Sequence, residues 1–384
     1  MTGYRKELAL YYSNPVERQT AAPIAVEAER RNYQITMTED PFLKSEIGVY
    51  CSHNCFPHNS RLSLVMLHDM GQGQLHWPNM WRFESWNDFD AGILPGDVWA
   101  ERWQQSTEHP FAHPRLGVFK LGWPKSDSIF AQDNNVLSDA AEALRRQLNL
   151  QHDISVLYAP AWENDNKQDD FVRALIDMPV NLLLKQFPWT DEWPDMITNV
   201  AAANAIHRGI APNVHVLDPS VSIMHAIELG DVMVSEESSC LIEALLKGRP
   251  AISVSDWLVP DTHPPRLPAA PFEFIIRTKK SNLGETVAGV VEDLTTYKIA
   301  AAKHRDENFY NLGQSSARIM DLIDALADEH ELPATALSPR YEPKSVTVYD
   351  QFTKYLRKGV YTTKYHLRIK QPLKKLVYDM FRRS

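Results

Sequence analysis

At 384 residues the chain is too long for one ordinary core and suits two domains of roughly 150 to 180 residues each. Its 44% hydrophobic content is that of a globular protein, no stretch approaches the ~18 consecutive apolar residues of a membrane span, and the N-terminus MTGYRKELALYYSN lacks the hydrophobic core of a signal peptide, so a cytoplasmic protein is expected. A net charge of −9 argues against nucleic acid as a partner, and the three cysteines, Cys51, Cys55 and Cys240, are too few for a disulfide framework.

Residues 7 to 13 (ELALYYS) predict a first buried strand and Pro23 to Arg31 the helix after it, followed by strands in QITMT, EIGVYCS, RLSLVMLHD, FDAGILPG and GVFKLGWP. Strands alternating with helices make a doubly wound α/β domain, taken here as 1–150 and ending near the helix Leu137 to Leu150. No GxGxxG follows the first strand, so a dinucleotide fingerprint is absent. LVMLHDMGQG delivers His68 and Asp69 to the carboxyl end of a strand and then enters a loop with Gly71 and Gly73, the place where an α/β domain keeps a reactive group. A histidine there either takes a proton from a hydroxyl at working pH or serves as a turn residue. Cys51, His53, Cys55 and His58 have ligand-like identities, but C-x-H-x-C-x-x-H is not a standard zinc spacing, and no metal is assigned. Asp88-Phe89-Asp90 reads as a turn, and the tryptophans from Trp77 to Trp103 as aromatic packing around a loop rather than a sugar platform.

A second domain, 151–330, opens at ISVLYAPAW and continues through PVNLLLKQFPW. Its centre is Asn213 to Trp257, which reads as strand VHVL, helix SIMHAIEL, strand DVMVS, the loop Glu236-Glu237-Ser238-Ser239, a helix to Leu246 and strand AISVS. The loop lies between a strand end and a helix start; Ser238 and Ser239 are cap residues whose helix would favour a phosphate, unless this is an ordinary capped helix with two solvated carboxylates. Glu236 and Glu237 would repel that phosphate unless they face a sugar or polyol hydroxyl. The proline-rich loop from Asp256 to Pro271 has no period and either covers a cleft or lies on the surface, and a helix spans Ser315 to Leu326. From Arg340 to Ser384 twelve Lys and Arg face three acids, leaving +9, so the first 339 residues carry −18. This basic extension, 331–384, mixes aromatic and leucine residues at roughly helical spacing, broken at Gly359 and Pro372.

GDVMVSEESSCLIEALLKGRPAISV resembles the nucleotide-binding half of the CDP-glycerol glycerophosphotransferase family, with Glu236-Glu237 where that family usually has Asp-Tyr. The resemblance extends in order to His68, where a His-Gly motif is usual and Asp69 follows instead. It includes LGWPKSD, with Gly122, Pro124, Lys125 and Asp127 matching, and VLYAPAW, with Ala161 in place of a threonine. It ends at FYNLGQSSARI, with Gly313, Ser315, Ser316 and Arg318 matching. A second histidine of the family is not evident in LLLKQFP, where Gln186 and Phe187 stand.

The resemblance implies two Rossmann-like domains facing each other across a cleft, of the GT-B type, with the basic C-terminal helical extension added. It further implies a transferase moving glycerol phosphate or a related polyol phosphate from a CDP-linked donor to a hydroxyl of a cell-surface glycan or lipid-linked precursor. His68 would be the base, with Asp69 as candidate orienting partner, and no metal would be needed. Tyr158, Pro160, Lys185, Glu236, Glu237, Ser238, Ser239 and Glu243 are expected on the donor side, and Gly71, Gly73, Lys125, Ser315 and Ser316 along the cleft. A nucleotide-sugar transferase on the same scaffold and a catalytically silent acceptor-binding subunit are the alternatives. The basic tail from Lys354 to Ser384 is expected to hold the enzyme at the anionic inner face of the cell membrane, unless its basic face complements the acidic body.

Overall fold

The computed structural model describes residues 4–52, 55–71, 76–77, 79–130, 135–189, 193–269, 272–328 and 330–367. In chain order the first part gives β1 (Glu7–Tyr11), α1 (Pro15–Arg30), β2 (Gln34–Thr38), β3 (Ser45–Tyr50), β4 (Ser60–Met66), β5 (Ala91–Leu94), α2 (Asp97–Gln105), β6 (Gly117–Lys120) and α3 (Asp127–Phe130). The middle gives α4 (Asn135–Leu148), β7 (Ser155–Tyr158), α5 (Lys167–Leu175), β8 (Asn181–Leu184), α6 (Pro194–His207), β9 (Val214–Val216), α7 (Ile223–Leu229), β10 (Val232–Ser235), α8 (Cys240–Leu246), β11 (Ala251–Val254), β12 (Ile276–Thr278), α9 (Leu283–Glu292) and α10 (Leu294–Asn308). Two further helices follow, α11 (Ser315–Ala327) and α12 (Val348–Leu367).

The chain folds as two compact units, and the first takes Asp306–Thr363 as well as Met1–Gln132. Its sheet is parallel throughout, in the order β2-β1-β3-β4-β5-β6, so the direction of winding reverses between β1 and β3. One face of the sheet buries Leu8, Leu10, Ile47, Val49, Leu64 and Ile93 against Ile24 and Ala28 of α1 and against Ile319, Met320 and Ile323 of α11. Helix α11 therefore completes the first core, and the division differs from the one expected at residues 150 and 330. The carboxylate of Asp127 fixes the attachment, accepting the N–H groups of Ser315 at 2.9 Å and Ser316 at 2.7 Å at the start of α11. Gly122 is required beneath it: its φ is +98°, and a Cβ there would lie 2.3 Å from Ser315 Oγ and 2.4 Å from the Tyr310 carbonyl. Replacing Asp127 with alanine is expected to cost roughly 1 to 2 kcal/mol in urea unfolding, as loss of a helix cap does, with asparagine restoring part of it.

The second unit is centred on Asp133–Arg305. Its sheet is also parallel, in the order β12-β11-β10-β7-β8-β9, with the reversal between β7 and β10. Val156, Tyr158, Leu182, Leu184, Val234 and Ile252 form its core with Phe171 and Leu175 of α5 and Val287 of α9. Helix α4, assigned above to the end of the first domain, packs against α7 and belongs here.

Two local expectations are corrected. Helix α1 starts at Pro15 rather than Pro23, because the Asn14 side chain caps it by accepting the N–H groups of Val16 and Glu17, and Pro23 lies within it. Helix α12 runs through Gly359 without a break, while Pro372 lies outside the described residues. The proline-rich loop is tied within its own unit by the pairing of Val259 with Arg266. The expected packing of the tryptophan run is met: Trp81, Trp86, Trp99 and Trp103 are all buried, and Trp99 and Trp103 donate to the carbonyls of Met70 and Ala112. No helix among the described residues is long and apolar enough to cross a membrane.

Candidate functional site

In open α/β sheets ligands are bound outside the carboxyl ends of the strands where the winding reverses. In the first unit that place is built by the ends of β1 and β3 and the start of α1, and His68, two residues beyond β4, reaches it. The His68 Nδ1 lies 3.0 Å from the Cys51 carbonyl oxygen, which immediately follows β3. A carbonyl only accepts, so Nδ1 carries the proton and, in the neutral ring, Nε2 presents its lone pair. Behind the same nitrogen stands Glu17 Oε1 at 3.8 Å. The other oxygen of Glu17 accepts the Ser13 N–H at 2.5 Å, so a capping carboxylate in the first turn of α1 also faces the histidine. Thr20, one turn further along α1, donates its hydroxyl to the His68 carbonyl at 2.9 Å. Helix α1 thus holds the backbone of His68 and places a carboxylate beside its ring, and the His68 side chain remains 24% exposed.

Asp69 has a different duty from the one expected. Its Oδ1 accepts the Gly71 N–H at 2.6 Å and closes the turn, and its Oδ2 is 4.0 Å from His68 Nε2, beyond hydrogen-bond reach. Gly73 and His53 lie outside the described residues. Cys51 and Cys55 are buried, burial pushes both thiols well above their ordinary value, and no metal-holding group of three or more His, Cys, Asp or Glu occurs among the described residues. Lys125 is buried with its ammonium over the Trp123 ring, and Ser315 and Ser316 are buried with their N–H groups given to Asp127.

In the second unit the reversal point between β7 and β10 is laced together by Glu236, which is fully buried. Its carboxylate accepts the backbone N–H groups of Ala161 at 3.1 Å and Trp162 at 3.0 Å and the Ser235 hydroxyl at 2.8 Å, and pairs with the buried ammonium of Lys167 at 3.1 Å. Lys167 in turn donates to the Trp162 carbonyl at 2.8 Å. Burial would raise the acid's pKa, but the Lys167 charge and these hydrogen bonds win and hold it below the ordinary value. Glu237 is likewise engaged, by the Arg266 guanidinium at 2.8 Å and the Ala269 N–H at 2.7 Å, which anchors the proline-rich loop. Both carboxylates are thus engaged within the second unit, each with a cation and backbone N–H groups.

Of the remaining donor-side residues, Tyr158, Pro160, Lys185 and Glu243 are buried. The Tyr158 hydroxyl donates to Glu163 at 2.6 Å, and burial, opposed by that bond and one from Gln186, raises the Glu163 pKa. Gln186 gives its amide hydrogens to Glu163 at 2.5 Å and Gln168 at 2.6 Å, so it is committed to the interior and does not stand in for an exposed histidine. Lys185 donates to the carbonyls of Gln186 at 2.6 Å and Pro219 at 2.8 Å, and burial lowers its pKa to about 8 against the pull of Cys240 and Asp218. Ser238 Oγ accepts the Cys240 N–H at 3.3 Å, and Ser239 makes no side-chain cap bond to α8.

No protein-family model matches the chain, and no curated protein matches it. Solved structures do. The wall teichoic acid polymerase TagF, in a variant soaked with CDPG, superposes with a TM-score of 0.58 at 14% identity, over 84% of this chain and 89% of that one. The S. aureus MnaA–UDP co-structure gives 0.58 at 12% identity, over 85% of this chain and 99% of that one. The fold is of the GT-B type. At these identities the likeness concerns the fold alone; it names neither the substrate nor the catalytic residues.

Proposed function

We propose that the chain is a GT-B type transferase that moves glycerol phosphate, or a related polyol phosphate, from a CDP-linked donor to a hydroxyl of a cell-envelope glycan or lipid-linked acceptor. The observation that carries the reading is His68: a histidine at the reversal point of the first sheet, whose Nδ1 bond to the Cys51 carbonyl sets the tautomer in which Nε2 is the basic nitrogen of the neutral ring. In the reaction the acceptor oxygen forms a bond to the distal phosphorus of the donor, the bond from that phosphorus to the bridging oxygen breaks, and CMP leaves with the electron pair. His68 Nε2 takes the proton from the acceptor hydroxyl, and Glu17 behind Nδ1 favours the ring as it becomes charged. The donor's anionic part is assigned to the carboxyl edge of the second sheet near Ser238 and Ser239, with Lys185 as the nearby cation.

The choice of a CDP-linked donor is supported by the motif resemblance and by likeness in fold to a polymerase soaked with CDPG. A nucleotide-sugar donor is the second reading, favoured by an equal superposition on a UDP-bound structure. A panel of CDP-linked polyols and UDP-linked sugars, assayed for released nucleotide with and without acceptor, decides between them. CMP release from the CDP-linked polyol is expected; UDP release alone would transfer the reading to a sugar donor, and no release from any donor would leave an acceptor-binding subunit.

A further inference from the structure

Helix α12 is seated on the first unit by its charged face. Lys354 and Lys358, one turn apart, both reach Asp88 at 2.6 Å, and Arg357 donates to the Phe83 carbonyl at 3.1 Å and lies over the Phe83 ring. Burial alone would raise the Asp88 pKa, but the two ammonium groups lower it below its ordinary value. The expectation that Lys354, Arg357 and Lys358 face a membrane is therefore corrected: these cations are already engaged. The consequence lies on the opposite face. Val348, Phe352 and Tyr355, at i, i+4 and i+7, are 84%, 60% and 71% exposed, with Tyr349 and Val360 exposed beside them. The helix is amphipathic with its apolar side outward, the reverse of an ordinary surface helix.

We propose that this outward face is a docking surface for an anionic lipid bilayer, lying flat in the headgroup region. Two observations select lipid over a second copy of the chain. The sequence following α12, from Arg368 to Ser384, carries six Lys and Arg against the single acid Asp379, a charge that complements anionic headgroups. Tyr349 and Tyr355 among the apolar residues suit an interface with one dry and one wet side. This inference is independent of which donor the enzyme uses.

The test uses the full chain with vesicles of phosphatidylcholine alone or with a third of phosphatidylglycerol, in a flotation assay at low salt, alongside sedimentation velocity without lipid. The wild type is expected to float with the anionic vesicles as a monomeric protein. The double variant F352E/Y355E, changed only at exposed positions and so expected to keep its thermal midpoint, should bind about tenfold more weakly or less. Its binding as well as the wild type would show that the basic segment acts alone, and the docking face would be withdrawn. A wild type that stays off anionic vesicles overturns the proposal outright. A wild-type dimer that the double variant abolishes would make the face a contact between copies instead.

Discussion

Replacing His68 with alanine is expected to lower turnover by about 10² to 10⁴ fold while leaving donor affinity within a few fold of wild type. A base acts on the proton that moves in the transition state and contributes little to ground-state binding of the donor. The fold should survive the change, because His68 is partly exposed and its backbone carbonyl remains bonded to Thr20. Glu17→Gln provides the companion measurement. It keeps an oxygen for the Ser13 N–H but removes the charge 3.8 Å from His68 Nδ1, so turnover should fall less than in His68→Ala with the Michaelis constant unchanged. Nitrogen-15 spectra of the imidazole should still show the Nδ1–H tautomer, since the Cys51 carbonyl sets it. Near wild-type turnover in His68→Ala would reduce the histidine to a turn residue and take the proposed mechanism with it.

The position of His68 was legible in the sequence because a buried strand followed by a glycine-containing loop places its last residues at the edge of the sheet. Glu17 was not. The pattern Asn14-Pro15 followed by Glu17 is a helix-start signal that could have placed the carboxylate beside the end of β1, but reading the helix from Pro23 concealed it. The partners of the acidic pair were hidden for a related reason. Two carboxylates at a strand end look ligand-facing until their counter-charges are known, and these come from Lys167 and Arg266, 69 and 29 residues distant. No local pattern announces such pairs.

The strands themselves were readable because a parallel sheet covered on both sides needs unbroken apolar runs, as in SVLY and NLLL, and these differ sharply from their helices. The units were harder to delimit. Helix α11 has the same amphipathic pattern whichever sheet it covers, and what assigns it is the bond from Ser315 to Asp127 across 188 residues together with ion pairs from Arg31 to Asp321 and Asp324. The tail shows the same limit: its basic residues were evident from composition, but only the meeting of Lys354 and Lys358 with Asp88 reveals which side of the helix faces inward.

The buried pair of Glu236 and Lys167 should be the most sensitive stability site in the second unit. Lys167→Ala leaves a carboxylate without its counter-charge in a place water does not reach, and loss of one partner of a buried ion pair costs about 3 to 5 kcal/mol. Glu236→Gln should be milder, because the amide oxygen can still accept from Ala161 or Trp162. Combining it with Lys167→Met removes both charges and should recover part of the loss of the lysine variant. The pH dependence has a fixed sign. The folded Glu236 pKa is lowered, so the stability it contributes is present above the ordinary glutamate value of 4.5 and drains away as pH falls from there through the folded value. Urea unfolding followed by tryptophan fluorescence at pH 7 and at pH 4 measures both effects. Wild type should lose more stability between the two pH values than Glu236→Gln. If Lys167→Ala unfolds within about 1 kcal/mol of wild type at pH 7, the pair is not the clamp between β7 and β10, and the loop that follows β7 must be held by other bonds.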